Sequence, residues 1–366
     1  MSNEDPSINR LTFHTLAILS IKNDCETLKA LAPIMKNPIY SLGLLQYMAL
    51  FCCATEEYCK STGQDVNFFV DSPFNISDIR CKLKLFDDRY GRTKNTISSI
   101  DDEQDEYFAS LLRFKWLSRF NIHYNLGIYI DRYDHMIGNT QYMHYMFQDK
   151  RFSNRDRMCK ENLQQLGYIL GATINSFCEG LKNLGQPIVL STSPIEEPLF
   201  YIDYNTNRNF NAFPGHEDGK ELTLRLIHIL CALNFIGIAM KSVMPQMNLW
   251  YVRAKYVTFY YAYRSMKTIN NKFPGMIDVP ESSQMESLLN SDLRSCMMHY
   301  SYINQGNELI SSNHLDLQVP FFGLIESCFP GMSFNDFMHE LDHAISTLSD
   351  IIEKQLNFDF SCKKPL

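Results

Sequence analysis

The segment SFNDFMHELDHAISTLSDIIEKQL, residues 333 to 356, carries the clearest fold signal in this chain of 366 residues. Pro330 and Gly331 interrupt the chain before it, and Ser333 with Asp336 three residues later has the spacing of a capping box. Apolar residues then recur every three or four positions, which places them on one helix face: Phe337, Leu341, Ala344, Ile345, Leu348, Ile352 and Leu356. We predict a long amphipathic helix that forms one wall of a bundle core.

Three more helical patterns lead up to this segment. Pro245 ends the first of them, the turn at 272–275 ends the second, and Ser283 with Glu286 has capping-box spacing at the start of the third. The four predicted helices cover 219–243, 247–272, 283–303 and 333–357. Breakers separate the four predicted helices, and their apolar faces favour a four-helix bundle.

The N-terminal half also has helical patterns, and the predicted fold class is therefore all-α. These patterns cover 11–22, 24–35, 41–58, 105–122 and 160–184. Pro, Ser, Thr and Asn become frequent between 186 and 219, where residues 198–204 and 205–211 have the pattern of a small strand pair. The predicted organisation is a helical sensor, partner-binding or regulatory domain at 1–190, a linker or small β-hairpin at 191–218, and a helical bundle at 219–360.

Arg294 and His299 are the first candidate functional residues. They lie five positions apart, a rotation of about 140° beyond one helical turn, so both can border one groove if a second helix or a second protomer closes it. A guanidinium binds phosphate and an imidazole transfers protons near neutral pH, which is the chemistry that RNA cleavage needs. The alternative is a surface arginine and a histidine packed in the core.

These features together resemble a HEPN domain over residues 215 to 360. The similarity consists of the Arg-x4-His motif on the third bundle helix, the Tyr300 that follows it, and the Gly-Leu-Ile-Glu segment at 323–326 before the last helix. Ser295 stands where the family commonly has Asn, Asp or His.

The resemblance implies a metal-independent endoribonuclease that needs no cofactor. His299 would then be the general base or acid for the 2'-hydroxyl, and Arg294 would hold the scissile phosphate. The implied partners are RNA, a second copy of the chain bound through the HEPN domain, and a protein activator or antitoxin. Family members occur in toxin-antitoxin, abortive-infection and antiphage systems.

Local charge adds to this hypothesis. The chain as a whole has a net charge of −7, which argues against a protein that coats nucleic acid by bulk electrostatics. Residues 246–277 nevertheless lack Asp and Glu. The predicted RNA- and phosphate-binding residues are Arg253, Lys255, Arg264, Lys267 and Tyr300. The alternative is a solvated cationic face over an aromatic core.

Two other motifs suggest metal chemistry. His339, Glu340 and His343 match the His-Glu-x-x-His pattern of zinc hydrolases, which makes such a hydrolase a minor alternative. The charged Asp342 inside the motif and the lack of a nearby third ligand count against it. Asp131, Asp134 and His135 also suggest a metal cluster, but we expect them to lie on a surface helix.

Cysteine usage and hydropathy favour a cytoplasmic protein without a membrane segment. The chain has 11 scattered cysteines, no Cys-x-x-Cys motif and no pattern of an N-terminal signal. Its longest apolar run, 226–240, is too short and too polar to span a bilayer. A non-catalytic helical scaffold that binds RNA or a protein is the second function class consistent with the sequence.

Overall fold

A computed structural model describes residues 6–69, 72–114, 116, 120, 122–147, 160–182, 199–208, 210–277 and 283–366. Within these ranges the chain is predominantly helical, as predicted. The α-helices are α1 Pro6–Ala30, α2 Pro38–Ser61, α3 Ile76–Cys81, α4 Tyr90–Ser110, α5 Gln141–Met146, α6 Lys160–Leu181, α7 Gly219–Asn234, α8 Leu249–Lys272, α9 Ser283–Ser287, α10 Ser291–His299, α11 Leu324–Cys328 and α12 Phe334–Leu356. The strands are β1 Leu126–Ile130, β2 Met136–Asn139, β3 Phe200–Tyr204, β4 Ile303–Asn304, β5 Asn307–Glu308 and β6 Lys364–Pro365.

Helix α12 confirms the prediction made from its sequence. The Ser333 hydroxyl accepts a hydrogen bond from the backbone N–H of Asp336 at 3.2 Å, and the Asp336 carboxylate accepts one from the N–H of Ser333 at 3.2 Å. All seven residues of the apolar stripe are buried. The helix ends where Asn357 adopts a left-handed conformation with φ of 47°.

Helix α8 lies at the centre of the structure and is buried along most of its length. Asn248 caps it by accepting a hydrogen bond from the N–H of Tyr251 at 3.0 Å. Helices α1, α7, α10 and α12 all pack against it. A hydrogen bond of 2.6 Å between the hydroxyls of Tyr47 and Thr258 also ties α2 to α8. The predicted segment 247–272 is therefore confirmed as a helix, but as a core helix with little surface.

The first predicted bundle helix changes its hydrogen-bond pattern before it ends. After α7 the chain forms a π-helical turn at Phe235–Ala239 and a 3-10 turn at Met240–Ser242. The π-helical turn packs closely on α12, because a Cβ added to Gly237 would lie 2.9 Å from Cγ2 of Ile345. This helical stretch agrees with the predicted range of 219–243.

The third predicted bundle helix is wrong in extent. It consists of two short helices, α9 and α10, because the Asn290 side chain accepts hydrogen bonds from the N–H groups of Asp292 and Leu293, both at 2.9 Å, and so starts a new helix. Tyr300 then ends α10 in a left-handed conformation with φ of 53°. Ile303, the last residue of the predicted helix, lies instead in β4, which pairs with β5.

A four-stranded antiparallel sheet of order β2-β1-β3-β6 is an element that the all-α prediction missed. The strand predicted near 198–204 exists as β3, but it does not pair with 205–211. Its neighbours are β1, with Ile128 opposite Ile202, and β6, with Phe200 opposite Pro365.

Hydrogen bonds to Thr206 explain why the predicted hairpin does not form. Its backbone N–H donates to Asn125 Oδ1 at 2.8 Å, and its hydroxyl donates to Asp101 Oδ1 at 3.0 Å. These bonds direct the chain away from β3 immediately after the strand ends.

One hydrophobic core extends through the described chain, from Phe13 in α1 to Leu356 in α12. Helix α1 packs against α8, and helix α2 packs against α10, so buried side chains from both sides of the predicted boundary belong to the same cluster. The limits 1–190 and 219–360 therefore do not mark two separate cores. Residues 191–198 of the predicted linker lie outside the described residues.

Two helical stretches, Pro38–Ser61 and Gly219–Ser242, are long and apolar enough to span a membrane. The most apolar window of the first is 78% buried inside the structure, and that of the second is 89% buried. Their apolar character is accounted for by packing in the protein core.

Candidate active site

His299 lies at the C-terminal end of α10 and is held there by a carboxylate from α2. Its Nδ1 is 2.7 Å from Oε2 of Glu57, and the His299 side chain is 38% exposed. Arg80 of α3 donates from Nη1 to the other oxygen of Glu57, also at 2.7 Å. Since both contacts fix the same carboxylate, the imidazole has a defined orientation.

The charges around Glu57 favour its ionised form. Burial by itself raises the pKa of the Glu57 carboxyl, but the hydrogen bond with His299 and the charge of Arg80 outweigh burial, and the pKa is lowered. A carboxylate on Nδ1 leaves Nε2 of His299 to act towards a ligand, the arrangement that many general bases share.

His299 borders a cleft of about 480 Å³ between α1, α2 and the turn after α10. A second imidazole, that of His14, also borders this cleft. The His14 ring stacks on Tyr58 with 5.6 Å between ring centroids, and its Nδ1 is hydrogen-bonded to the Tyr58 hydroxyl. Hydroxyl groups complete the polar lining: Ser61, Thr62 and Ser301. The cleft therefore combines two imidazoles with several hydrogen-bonding groups.

Arg294 lies apart from this cleft. Its guanidinium is 5.8 Å from the ring centroid of Tyr260 in α8, and it is not among the residues that line the His299 cleft. Its Nε is buried and has no hydrogen-bond partner among the described residues. A separation of about 140° around α10 accounts for the different directions of the two side chains. One chain alone does not bring Arg294 and His299 into the same pocket.

The expectation that Arg253 presents its charge to a ligand is wrong. Its side chain is buried, and its Nε lies 2.7 Å from Oδ2 of Asp24 in α1. Its Nη1 donates to the carbonyl of Met297 at 2.8 Å. Burial by itself lowers the pKa of Arg253, but the charge of Asp24 raises it overall, so this residue is a neutralised cation inside the core.

The same correction applies to Lys255. Its side chain is fully buried, is ion-paired with Asp342 of α12, and lies 4.8 Å from the ring centroid of Tyr251. Burial lowers its pKa, and the carboxylate of Asp342 only partly opposes this effect. Asp342 is therefore the buried lysine's counter-ion, which explains the charged residue inside the His-Glu-x-x-His motif.

Arg264 and Lys267 do reach the surface, and each has an acidic neighbour. Arg264 Nε is 2.9 Å from Oδ2 of Asp87, and Lys267 is ion-paired with Glu286. The four predicted phosphate-binding cations of α8 thus form two buried ion pairs and two surface ion pairs, because carboxylates distant in sequence pack against this helix.

Tyr300 is also enclosed, which corrects its prediction as an RNA-contacting residue. It is 1% exposed, and its hydroxyl donates to Asp24 Oδ2 at 2.6 Å. Burial raises its pKa well above the ordinary value, so the phenol stays protonated. Tyr300 belongs to the core network of Asp24 and Arg253.

The zinc motif lacks the arrangement that a metal requires. The His339 side chain is 82% exposed, His343 is exposed, and Asp342 is engaged by Lys255. Within the part of the chain that the structure describes, no group of three or more His, Cys, Asp and Glu residues is arranged to hold a metal ion.

Asp131 and His135 lie in the turn between β1 and β2, so the expected surface helix is wrong there. The Asp131 carboxylate accepts hydrogen bonds from the N–H groups of Tyr133 and His135 at 2.8 and 2.9 Å, which shapes the turn. Its Oδ2 also lies 2.9 Å from Nδ1 of His135. This hydrogen bond raises the pKa of His135.

Glu57, Arg80 and His14 are the site residues that sequence reasoning missed. Glu57 is 242 positions away from His299, and no local spacing connects them.

Searches against protein-family models, curated proteins and solved structures gave no match to this chain.

Proposed function

We propose that this chain is a metal-independent endoribonuclease of the HEPN type, with His299 as a proton-transfer residue. The observation that carries the proposal is the half-exposed His299 imidazole, oriented by Glu57 at 2.7 Å, at the edge of a 480 Å³ cleft. A carboxylate that fixes Nδ1 selects one tautomer and directs Nε2 to a substrate. The resemblance described above extends the proposal to cellular RNA as substrate and to a toxin or antiphage role.

RNA cleavage without a metal needs two proton transfers. One imidazole removes the proton of the 2'-hydroxyl, whose oxygen attacks the adjacent phosphorus, and a second group protonates the departing 5'-oxygen. The products are a 2',3'-cyclic phosphate and a 5'-hydroxyl. His299 and His14 border the same cleft and supply two imidazoles for these steps.

In this proposal Arg294 acts on a phosphate from outside the His299 cleft. Its Nε has no hydrogen-bond partner among the described residues, and the proposal assigns a phosphate oxygen to this guanidinium. A homodimer formed through α10 would bring the Arg294 of one copy towards the His299 of the other. Size-exclusion chromatography with light scattering measures this directly, and a monomer with full activity would remove the dimer from the proposal.

The test of catalysis compares the purified protein with three variants, His299→Ala, His14→Ala and His343→Ala. His343 is a matched control, because it is an exposed histidine on α12 that does not line the cleft. Each protein is incubated with total RNA and with tRNA in EDTA, and the cut ends are sequenced. Thermal unfolding of each variant shows whether the fold is intact.

We expect the wild type and His343→Ala to leave 2',3'-cyclic phosphate ends, and folded His299→Ala to lose activity by at least about a hundredfold, the usual contribution of a general acid or base. Equal cleavage by His299→Ala would show that the activity belongs to another site or to a contaminant. Activity that disappears in EDTA and returns with Zn²⁺ would contradict the metal-independent mechanism.

A non-catalytic protein-binding scaffold is the second candidate, and one observation favours it. Several large apolar side chains near the end of α4 and beyond it are about half exposed or more: Leu111, Phe114, Trp116, Phe120 and Tyr124. Exposed aromatic clusters of this kind occur at protein interfaces. A lack of cleavage on every RNA, together with capture of a protein that Trp116→Ala no longer binds, would favour the scaffold.

A further inference from the structure

A second cavity, with no lining residue in common with the His299 cleft, lies between the β1–β2 turn, the π-helical turn and α12. Its volume is about 520 Å³. This volume is in the range of pockets that bind small organic molecules. One wall is the π-helical turn at Phe235–Ala239, and such turns are frequent at functional sites.

Asn234 gives this cavity an unsatisfied hydrogen-bond acceptor. The residue lines the cavity although it is only 1% exposed, and its Nδ2 donates to Oε1 of Glu353 at 2.9 Å. That hydrogen bond fixes the orientation of the amide, because the opposite orientation would place two acceptor oxygens together. Asn234 Oδ1 is then buried with no partner among the described residues. A buried acceptor without a donor is costly, so a ligand that donates a hydrogen bond would stabilise it.

Charge in the cavity favours a cation as that donor. Glu353 and Asp350 both line it, and a separation of three residues places them on the same face of α12. Asp350 is exposed and has no ion-pair partner within the described ranges. Asp342 also contributes to the lining, but Lys255 balances its charge.

The cavity lining has three carboxylates and two basic side chains, His135 and Lys241. His135 is hydrogen-bonded to Asp131, and the charge of Glu353 also contributes to its raised pKa, whereas Lys241 is exposed at the surface. An anionic ligand would have to approach both Asp350 and Glu353, which is unfavourable at short range.

The rest of the lining favours an organic cation over a metal ion. No three metal-binding side chains converge anywhere in the described part of the chain. Apolar groups form much of the cavity wall, among them Leu233, Ile238 and Ile345. These groups would exclude water from a hydrocarbon chain, whereas a hydrated metal ion would gain nothing from them.

We propose that this cavity binds a small aliphatic amine. Its ammonium group donates to Asn234 Oδ1 and pairs with Glu353 and Asp350, and its carbon chain lies against Ile238 and Ile345. The site is independent of the ribonuclease proposal, since the two cavities share no lining residue.

Isothermal titration calorimetry on the full chain tests this, with 1,4-diaminobutane as the probe. The comparison ligands are 1,4-butanediol, which has the same length without charge, and hexanedioate, which has the opposite charge. Asp350→Asn removes one carboxylate at an exposed position, and Ser346→Phe places a ring at the exposed Ser346, which lines the cavity. Asp65→Asn is the matched control, because Asp65 is exposed and does not line the cavity.

We expect the diamine to bind with one-to-one stoichiometry and the other two ligands not to bind. Asp350→Asn should weaken binding about fivefold, the size of an exposed charge pair, and Ser346→Phe should abolish it. Asp65→Asn should leave the affinity unchanged. The proposal is overturned if the diamine does not bind, if butanediol binds equally well, or if Asp65→Asn weakens binding as much as Asp350→Asn does.

Discussion

Asp24 is the buried carboxylate whose replacement tests the packing of the N-terminal helices most directly. It is fully buried in α1, and its Oδ2 accepts hydrogen bonds from Arg253 Nε at 2.7 Å and from the Tyr300 hydroxyl at 2.6 Å. The Arg253 guanidinium also lies 4.3 Å from the ring centroid of Tyr300. Three elements that are distant in sequence, α1, α8 and the end of α10, therefore meet at one carboxylate.

Asp24→Asn keeps the shape of the side chain and removes its charge. Arg253 then remains as a buried cation without a counter-ion, and arginine does not lose its proton to relieve the cost. Removing one partner of a buried ion pair costs about 3–5 kcal/mol. The free energy of unfolding of a typical protein is about 5–15 kcal/mol, so we expect Asp24→Asn to lose a large share of it.

Urea denaturation followed by circular dichroism at pH 7 measures this loss. The double variant Asp24→Asn with Arg253→Met has no unpaired buried charge. We therefore expect its free energy of unfolding to be higher than that of Asp24→Asn alone by about 2 kcal/mol or more. Asp65→Asn, an exposed carboxylate, should change stability by less than about 0.5 kcal/mol.

Two results would refute this reasoning. One is a loss of less than about 1 kcal/mol in the free energy of unfolding of Asp24→Asn, because a buried cation without its counter-ion would then destabilise the protein only slightly. The other is a double variant whose loss equals the sum of the two single losses. Two separate unfolding transitions in the wild type would further show that 1–190 folds independently of 219–360.

Two further predictions concern a glycine and a histidine. Gly323→Ala should destabilise the protein by at least about 1 kcal/mol more than Gly331→Ala. Both glycines have positive φ, but only at Gly323 would a Cβ lie 1.8 Å from the carbonyl oxygen of His314. Equal urea midpoints for the two variants would contradict this and show that the backbone at 323 shifts to accommodate the methyl group. His135 should titrate above its ordinary pKa of 6.5 in an NMR titration, and Asp131→Asn should lower that pKa. Its contribution to stability should be complete below pH 6.5 and should be lost as pH rises through the folded pKa; an unchanged pKa in Asp131→Asn would contradict the assigned cause.

Much of the helical architecture was predictable because its signals are local. The capping box at Ser333 and the apolar stripe of α12 depend on neighbours within a few positions, and both are present as predicted. The extent of the third helix was not predictable from apolar spacing, since that spacing continues across Asn290, whose side chain starts a new helix.

The sheet and the candidate site depend on contacts between distant parts of the chain. Ile128 pairs with Ile202, and His299 is hydrogen-bonded to Glu57, which lies 242 positions away. The periodic pattern within one segment contains no information about such distant partners. The candidate histidine was found from its motif, whereas its orienting carboxylate and the second imidazole of the cleft were not.

The sequence by itself determined where charge and apolar surface lie along each helix, because periodicity is a property of one segment. Only the tertiary structure decided which charges remain available to a ligand. Arg253 and Lys255 belong to a segment without acidic residues, yet Asp24 and Asp342 neutralise them inside the core. The physical reason is that a charge can be buried only when a counter-ion is folded against it, and that counter-ion can come from anywhere in the chain.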